Sequence, residues 1–262
     1  MQATENTVVN FETQNLGERI AVVSTKGGAG TTSILANIAW GLAAQKGISV
    51  ACADLDFATG DMDLQFSVKA NQALLEMLQY PERLEPIVYQ RSGINAQENL
   101  HVFTGYSGQL EQTFWPDITA INQMSQFCQQ QASFLLWDIP AFCLRDATGF
   151  ATLAGSDIQI IVVEPTLASI RSTNQLLAKL ESQHTPLASD KTRTLLVLNH
   201  TKPESASLIS KADVIKALAR NIDVELPYAP QLMLANTTLG KFAVSQKNRS
   251  GRALQKLVQL MP

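Results

Sequence analysis

The residues best equipped for chemistry lie at positions 24–33, where the chain reads STKGGAGTTS. Glycines let a backbone curl so that successive N–H groups point inward, and the start of a helix adds its partial positive charge. Together they make a phosphate site. The loop runs Lys26-Gly27-Gly28-Ala29-Gly30-Thr31-Thr32-Ser33, with Thr32 where a loop hydroxyl would ligate Mg²⁺. Position 31, where such a loop carries its lysine, is threonine. Carboxylates stand ready to serve the same site. ADLDFATGDMDL (53–64) places Asp54 and Asp56 at a strand end, followed by Asp61 and Asp63, and FLLWDIP (134–140) closes an apolar run on Asp138. Carboxylates beside a phosphate site can hold the water shell of Mg²⁺, which gives Asp54 and Asp138 a metal role, and can orient an attacking water, the role of Asp56. Asn199 closes a further strand and Pro227-Tyr228 follows the next, where they could frame a base.

A rival reading uses the same glycines. Gly28-x-Gly30-x-x-Ser33 nearly matches a dinucleotide fingerprint, with Asp54 where a ribose-binding acid would sit. Against it stand the imperfect third glycine, the Thr31-Thr32 pair, the second carboxylate of Asp56 and the lack of a downstream Tyr-x-x-x-Lys pair.

These residues need a scaffold that brings strand ends together. RIAVVS (19–24), ISVACAD (48–54), NLHVFTG (99–105), SFLLWDIP (133–140), DIQIIVVEP (157–165), RTLLVLN (193–199) and 222–227 read as strands, most of them continuously apolar. Between them, helices are expected over 32–47 with Gly47 as the stop, over 71–90 with an interruption at Pro81, and over 116–131, 167–182, 208–220 and 250–261. Apolar strands alternating with helices predict a doubly wound α/β fold, a mostly parallel sheet with helices on both faces. Ligands of such sheets sit beyond the carboxyl ends of the strands, where the polar residues above fall. Residues 1–18 read as a flexible lead-in and 19–262 as one domain, without repeats or linkers.

The composition is that of an ordinary globular chain, 45% hydrophobic and 16% charged, and its longest apolar runs are strand-sized. No secretory signal is expected. Cys52, Cys128 and Cys143 have no metal spacing and read as reduced, mostly buried thiols of a cytoplasmic protein. His101, His184 and His200 are equally scattered. The net charge of −3 conceals a basic end: residues 226–262 carry Lys241, Lys247, Arg249, Arg252 and Lys256 and no acidic residue. Such a stretch could touch DNA or an anionic membrane, but reads first as the solvated face of a closing helix. Leu254, Leu257, Val258 and Met261 fall at helical spacing and are expected in the core, with membrane insertion as the alternative.

KGGAGTTS together with DLD, WDIP and VLNH resembles the deviant Walker A ATPases of the MinD/ParA type, whose P-loop reads KGG-x-G-K-[ST]. Lys26 matches their early lysine. The Thr31 replacement, DLDFATGDMDL and EPTLASIRS (164–172) resemble the CpaE/TadZ branch, which accompanies assembly of Flp/Tad pili. The similarity runs from about residue 19 to the C-terminus. It implies ATP and Mg²⁺ as ligands, Asn199 and Pro227 around adenine, and a nucleotide-dependent homodimer in which Lys26 reaches the partner's phosphates. It also implies pilus or secretion-system proteins as partners and peripheral membrane association at most; the chain's acidic balance leaves DNA a minor alternative. Members often carry a receiver-like N-terminal domain; here only the lead-in precedes the first strand, so what that domain contributes to localisation is expected to be absent or supplied by another chain. Loss of one charge-assisted hydrogen bond at position 31 should weaken nucleotide binding about 10- to 100-fold, and slow turnover by as much as about 10³–10⁵. The expected function is an ATP-binding, weakly hydrolysing dimerisation switch that localises or helps assemble pilus machinery. The alternatives are a non-hydrolysing nucleotide-binding scaffold and a DNA-partitioning ATPase that uses the basic end.

Overall fold

Seven stretches that read as strands do form strands, because most of them are apolar on both faces and can be buried only inside a covered sheet. The computed structural model describes residues 16–105, 114–183 and 192–261. Most of the expected lead-in and His184 lie outside the described residues. In chain order, β1 (Glu18–Ser24) runs through the glycine loop into α1 (Thr31–Ala43). β2 (Val50–Asp54) is followed by α2 (Met62–Phe66), α3 (Ala73–Gln79) and α4 (Pro86–Ser92), then by β3 (Ile94–Gln97) and β4 (Leu100–Phe103). Next come α5 (Ile118–Gln131), β5 (Phe134–Ile139), α6 (Ala147–Ala154), β6 (Ile158–Val163) and α7 (Leu167–Gln183). The chain continues through β7 (Arg193–Asn199), α8 (Lys211–Leu218), β8 (Val224–Leu226), α9 (Pro230–Leu239) and α10 (Arg249–Gln259).

The eight strands form one sheet in the order β3-β4-β2-β5-β1-β6-β7-β8. All neighbours are parallel except the β3–β4 edge pair. That order settles the rivalry between the two phosphate-loop readings. A dinucleotide fold sets its acidic second strand beside the first; here β5 lies between β1 and β2, so Asp138 stands between the glycine loop and Asp54. The expected doubly wound, mostly parallel sheet is the observed one.

Some boundaries differ from expectation. The helix expected over 32–47 ends at Ala43, and Gly47 lies beyond it in the turn to β2 with φ +79°. The 71–90 helix is two short helices joined by a 3-10 turn at Pro81–Arg83. Four elements were not expected: α2, β3, α6 and α9.

Each sheet face has its own core. On one face α1 and α10 pack over Ile20, Val22, Leu136 and Ile160. Gly41 of α1 touches Val258 of α10 so closely that a Cβ there would meet the valine methyl at 2.8 Å. Buried Asn37 bridges this layer: its amide donates to the Ser33 carbonyl (2.8 Å) and accepts from the Val244 N–H (2.9 Å). Arg193 donates to the carbonyls of Leu260 and Met261, at 3.0 and 2.8 Å, and so satisfies the end of α10. On the other face α5, α6, α7 and α8 cover Ala21, Val23, Trp137 and Ile161. Leu254, Leu257, Val258 and Met261 are all buried, so the apolar stripe closes the core as expected. Lys241, Lys247, Arg249, Arg252 and Lys256 are exposed, a solvated face.

Candidate functional site

The carboxyl ends of β1, β2 and β5 open into a cleft of about 640 Å³. Lys26, Gly27, Gly28, Gly30, Thr31, Thr32 and Ser33 line it from the loop, opposite Asp54, Asp56 and Asp138. The loop is bent by Gly28 and Gly30, with φ +80° and +85°, a backbone region that side chains with a Cβ avoid. Gly30 is the last residue before α1, so the helix N-terminus points its free N–H groups into the cleft. Ala29, the remaining loop residue expected at the site, turns its side chain into the core. Its carbonyl accepts a 2.8 Å hydrogen bond from the Asn199 amide. The Ser24 hydroxyl closes the other side by donating to the Lys26 carbonyl.

Asp54 and Asp138 are register partners on adjacent strands and are 1% and 4% exposed. Burial pushes the Asp54 carboxyl well above the ordinary range, and the neighbouring Asp138 raises it further; the Asp56 N–H, at 2.8 Å, pulls the other way. Burial likewise raises Asp138, to about 7, against a hydrogen bond from the Thr32 hydroxyl; Asp61 and Asp56 add to the rise. Two desolvated carboxylates side by side resist full ionisation until a cation arrives. The donor set fits Mg²⁺, a hard ion that takes oxygen ligands and keeps several waters. Thr32, Asp54 and Asp138 supply a hydroxyl and two carboxylates. Among the described residues no cluster of three or more His, Cys, Asp or Glu could enclose a metal alone. The other ligands would be waters and phosphate oxygens, for which the cleft has room.

Asp56 is committed to its own turn. One carboxylate oxygen accepts the N–H groups of Ala58 and Thr59 at 3.2 and 2.7 Å, and the other accepts the Thr59 hydroxyl at 2.9 Å. It lines the cleft with its lone pairs largely engaged.

Asn199 and Pro227 lie apart from these carboxylates. They line a smaller hollow of about 150 Å³ with His200 and Tyr228, and Gly30 and Ser33 border both spaces. A base in the hollow and phosphates on the loop would therefore be continuous. Asn199 has a second task there, since its amide N–H holds the loop while its carbonyl oxygen stays available.

Asp61, expected beside the site, lines the cleft, and four further lining residues escaped the sequence reading: Thr25, Thr59, Phe142 and Arg145. The last two follow Asp138 on the 3-10 turn Ala141–Arg145. Inspecting the residues after every strand, and not the strand ends alone, would have found them.

The fold is that of the MinD/ParA-type P-loop ATPases. A ParA family ATPase from Chlorobium tepidum superposes with a TM-score of 0.80 at 22% identity, covering 94% of this chain and 98% of that one. The septum site-determining protein MinD from Pyrococcus horikoshii, solved with Mg-ADP, superposes at 0.71 with 20% identity over 94% and 96%. Among curated sequences, the flagellum site-determining protein YlxH of Helicobacter pylori is 27% identical over 165 residues, 61% of this chain. That match spans about half of the relative, 52% of its length. A putative septum site-determining protein MinD from Guillardia theta is 25% identical over 238 residues, 88% of this chain and 82% of its own. No family model matches the chain.

Proposed function

We infer that this chain is a MinD/ParA-like, nucleotide-dependent positioning ATPase that binds Mg-ATP, dimerises on it and hydrolyses it slowly. The observation that carries this is the single cleft in which a helix N-terminus and glycine loop face a buried Asp54–Asp138 pair, with the Thr32 hydroxyl on Asp138. The loop N–H groups would cradle the phosphates, and the hollow at Asn199 and Pro227 would take adenine. Thr32, Asp54 and Asp138 would hold Mg²⁺, directly or through its waters; when bound, that ion neutralises charge building on the phosphoryl oxygens. In hydrolysis, water adds to the γ-phosphorus as the bond to the bridging oxygen breaks, releasing ADP and phosphate, and Asp56 orients that water. Lys26 is half-buried in the cleft wall and is proposed to reach the phosphates of a second copy.

The names of the curated relatives concern where flagella and septa are placed, and placing a surface or division structure is the role proposed here. The finer assignment, to the assembly of Flp/Tad pilus machinery as in CpaE/TadZ proteins, rests on the resemblance of the Lys26–Ser33 loop, the Asp54–Leu64 segment and residues 164–172. A second reading, a scaffold that binds nucleotide without turning it over, is favoured by Thr31 and by the three hydrogen bonds that occupy Asp56.

Light scattering with and without Mg-ATP, alongside phosphate release, separates the two. A switch doubles its mass with Mg-ATP and releases phosphate slowly, and Asp56→Asn holds it as the dimer. Nucleotide binding with unchanged mass and no phosphate release would replace the switch with the scaffold. For the pilus assignment, a strain lacking the chain should fail to place or build its pili while flagella and septa stay normal. Normal pili would refute it.

A further inference from the structure

We propose that Arg145 supplies, within the same chain, the phosphate-binding charge that Thr31 lacks. The inference rests on reading the cleft as a nucleotide site. Among the described residues, four carboxylates line that cleft, Asp54, Asp56, Asp61 and Asp138, and only two cations, Lys26 and Arg145. Neither cation pairs with a carboxylate among the described residues, where the ion pairs all lie elsewhere. A triphosphate entering this predominantly acidic cleft needs positive charge from the protein. At position 31 a hydroxyl can donate one neutral hydrogen bond and no charge. An arginine offers five donors in a planar fork that matches two phosphate oxygens at once.

The backbone carrying Arg145 is held in place, as a phosphate ligand requires. Its 3-10 turn begins directly after Pro140, which follows β5. Cys143, in the middle of the turn, is buried; its N–H bonds the Pro140 carbonyl at 2.9 Å and its thiol faces the Leu55 carbonyl beyond β2. Asp146, the next residue after Arg145, caps α6 by accepting the Thr148 N–H. Gly149 lets α6 approach this turn, because a Cβ there would lie 2.3 Å from the Cys143 carbonyl oxygen. Arg145 thus stands between a buried anchor and a helix cap, with its side chain exposed at the cleft. It is also joined through β5 to Asp138, so one element presents a cation for phosphate and a carboxylate for the metal.

The test is calorimetric binding of Mg-ADP to the wild type, Arg145→Ala, Arg145→Lys, Lys26→Ala, and Arg145→Ala combined with Thr31→Lys. Loss of one charge-assisted contact should weaken Arg145→Ala about 10- to 100-fold. Arg145→Lys should recover part of that loss, and Thr31→Lys in the Arg145→Ala background most of it, because the lysine restores the same charge from the loop. The deficit should not depend on protein concentration, as a contact made within one chain requires. Wild-type binding matched within twofold by Arg145→Ala would overturn the proposal. So would a deficit that Thr31→Lys fails to repair and that comes with a lowered melting temperature, since Arg145 would then be structural. A wild type that binds no Mg-ADP would sink the nucleotide reading itself, a result distinct from either.

Discussion

At the scale of single residues, the buried Asp54–Asp138 pair makes the cleft sensitive to pH. Asp138 titrates near 7 in the folded chain against 3.8 for a free carboxyl, so the folded state holds a proton that the unfolded chain has released. Its favourable contribution is complete below the unfolded value and is lost as pH rises through the folded one. The metal-free protein should therefore lose stability between about pH 4 and pH 7, at up to about 1.4 kcal/mol per pH unit for one proton. Asp138→Asn should flatten that slope, melt higher than the wild type at pH 8 without metal, and lose the stabilisation that Mg-nucleotide gives the wild type. Thermal melts across pH, with and without Mg-ADP, check all three. A wild type whose metal-free stability rises from pH 5 to 8 would contradict the account. The same proton competes with Mg²⁺, so the cation should bind more tightly at pH 8 than at pH 6.

At the scale of elements, the sequence was most informative where burial is two-sided. The apolar runs ending in Ser24, Asp54, Asp138 and Asn199 locate four strand ends, and the polar side chains on them belong to the cleft or the hollow beside it. The loop was legible because Gly28 and Gly30 are needed for its left-handed backbone. What escaped lacks periodicity. β3 reads INAQ and has only one strand neighbour, and α6 is largely small residues. In α9 the single buried residue is Asn236, so no apolar stripe announces a helix. Arg145 was missed because nothing local says that a turn after β5 folds back toward a loop more than a hundred positions earlier. Conversely, the strong stripe of α10 was open to two uses until Leu254, Leu257 and Val258 proved buried against α1 and the sheet. Leu254→Ala should accordingly cost about 2–5 kcal/mol of stability. Denaturant unfolding would measure it, and an unchanged midpoint paired with lost lipid binding would restore the membrane use.

At the scale of the whole molecule, the parallel strands gather the loops after β1, β2, β5, β6 and β7 at one end, and exposed apolar residues collect there too. Leu167, at the start of α7 after β6, is 78% exposed, and Trp115 and Phe142 meet edge to face at 6.1 Å. If the proposed dimer forms through this end, Leu167→Asp should abolish the Mg-ATP-dependent doubling of mass, or weaken it at least about tenfold, since burying an unpaired charge is costly. Nucleotide affinity of the single chain should stay unchanged. Light scattering paired with calorimetry would show it, and an intact dimer would move the interface elsewhere. None of the helices among the described residues is long and apolar enough to cross a membrane. The hydrogen bond from Asn199 to the Ala29 carbonyl has a further consequence for timing. Because β7 already clasps the glycine loop, capture of the proposed nucleotide need not wait for the loop to order itself. Encounter then proceeds at a rate set by diffusion and charge, and differences among nucleotides fall on how long each one stays.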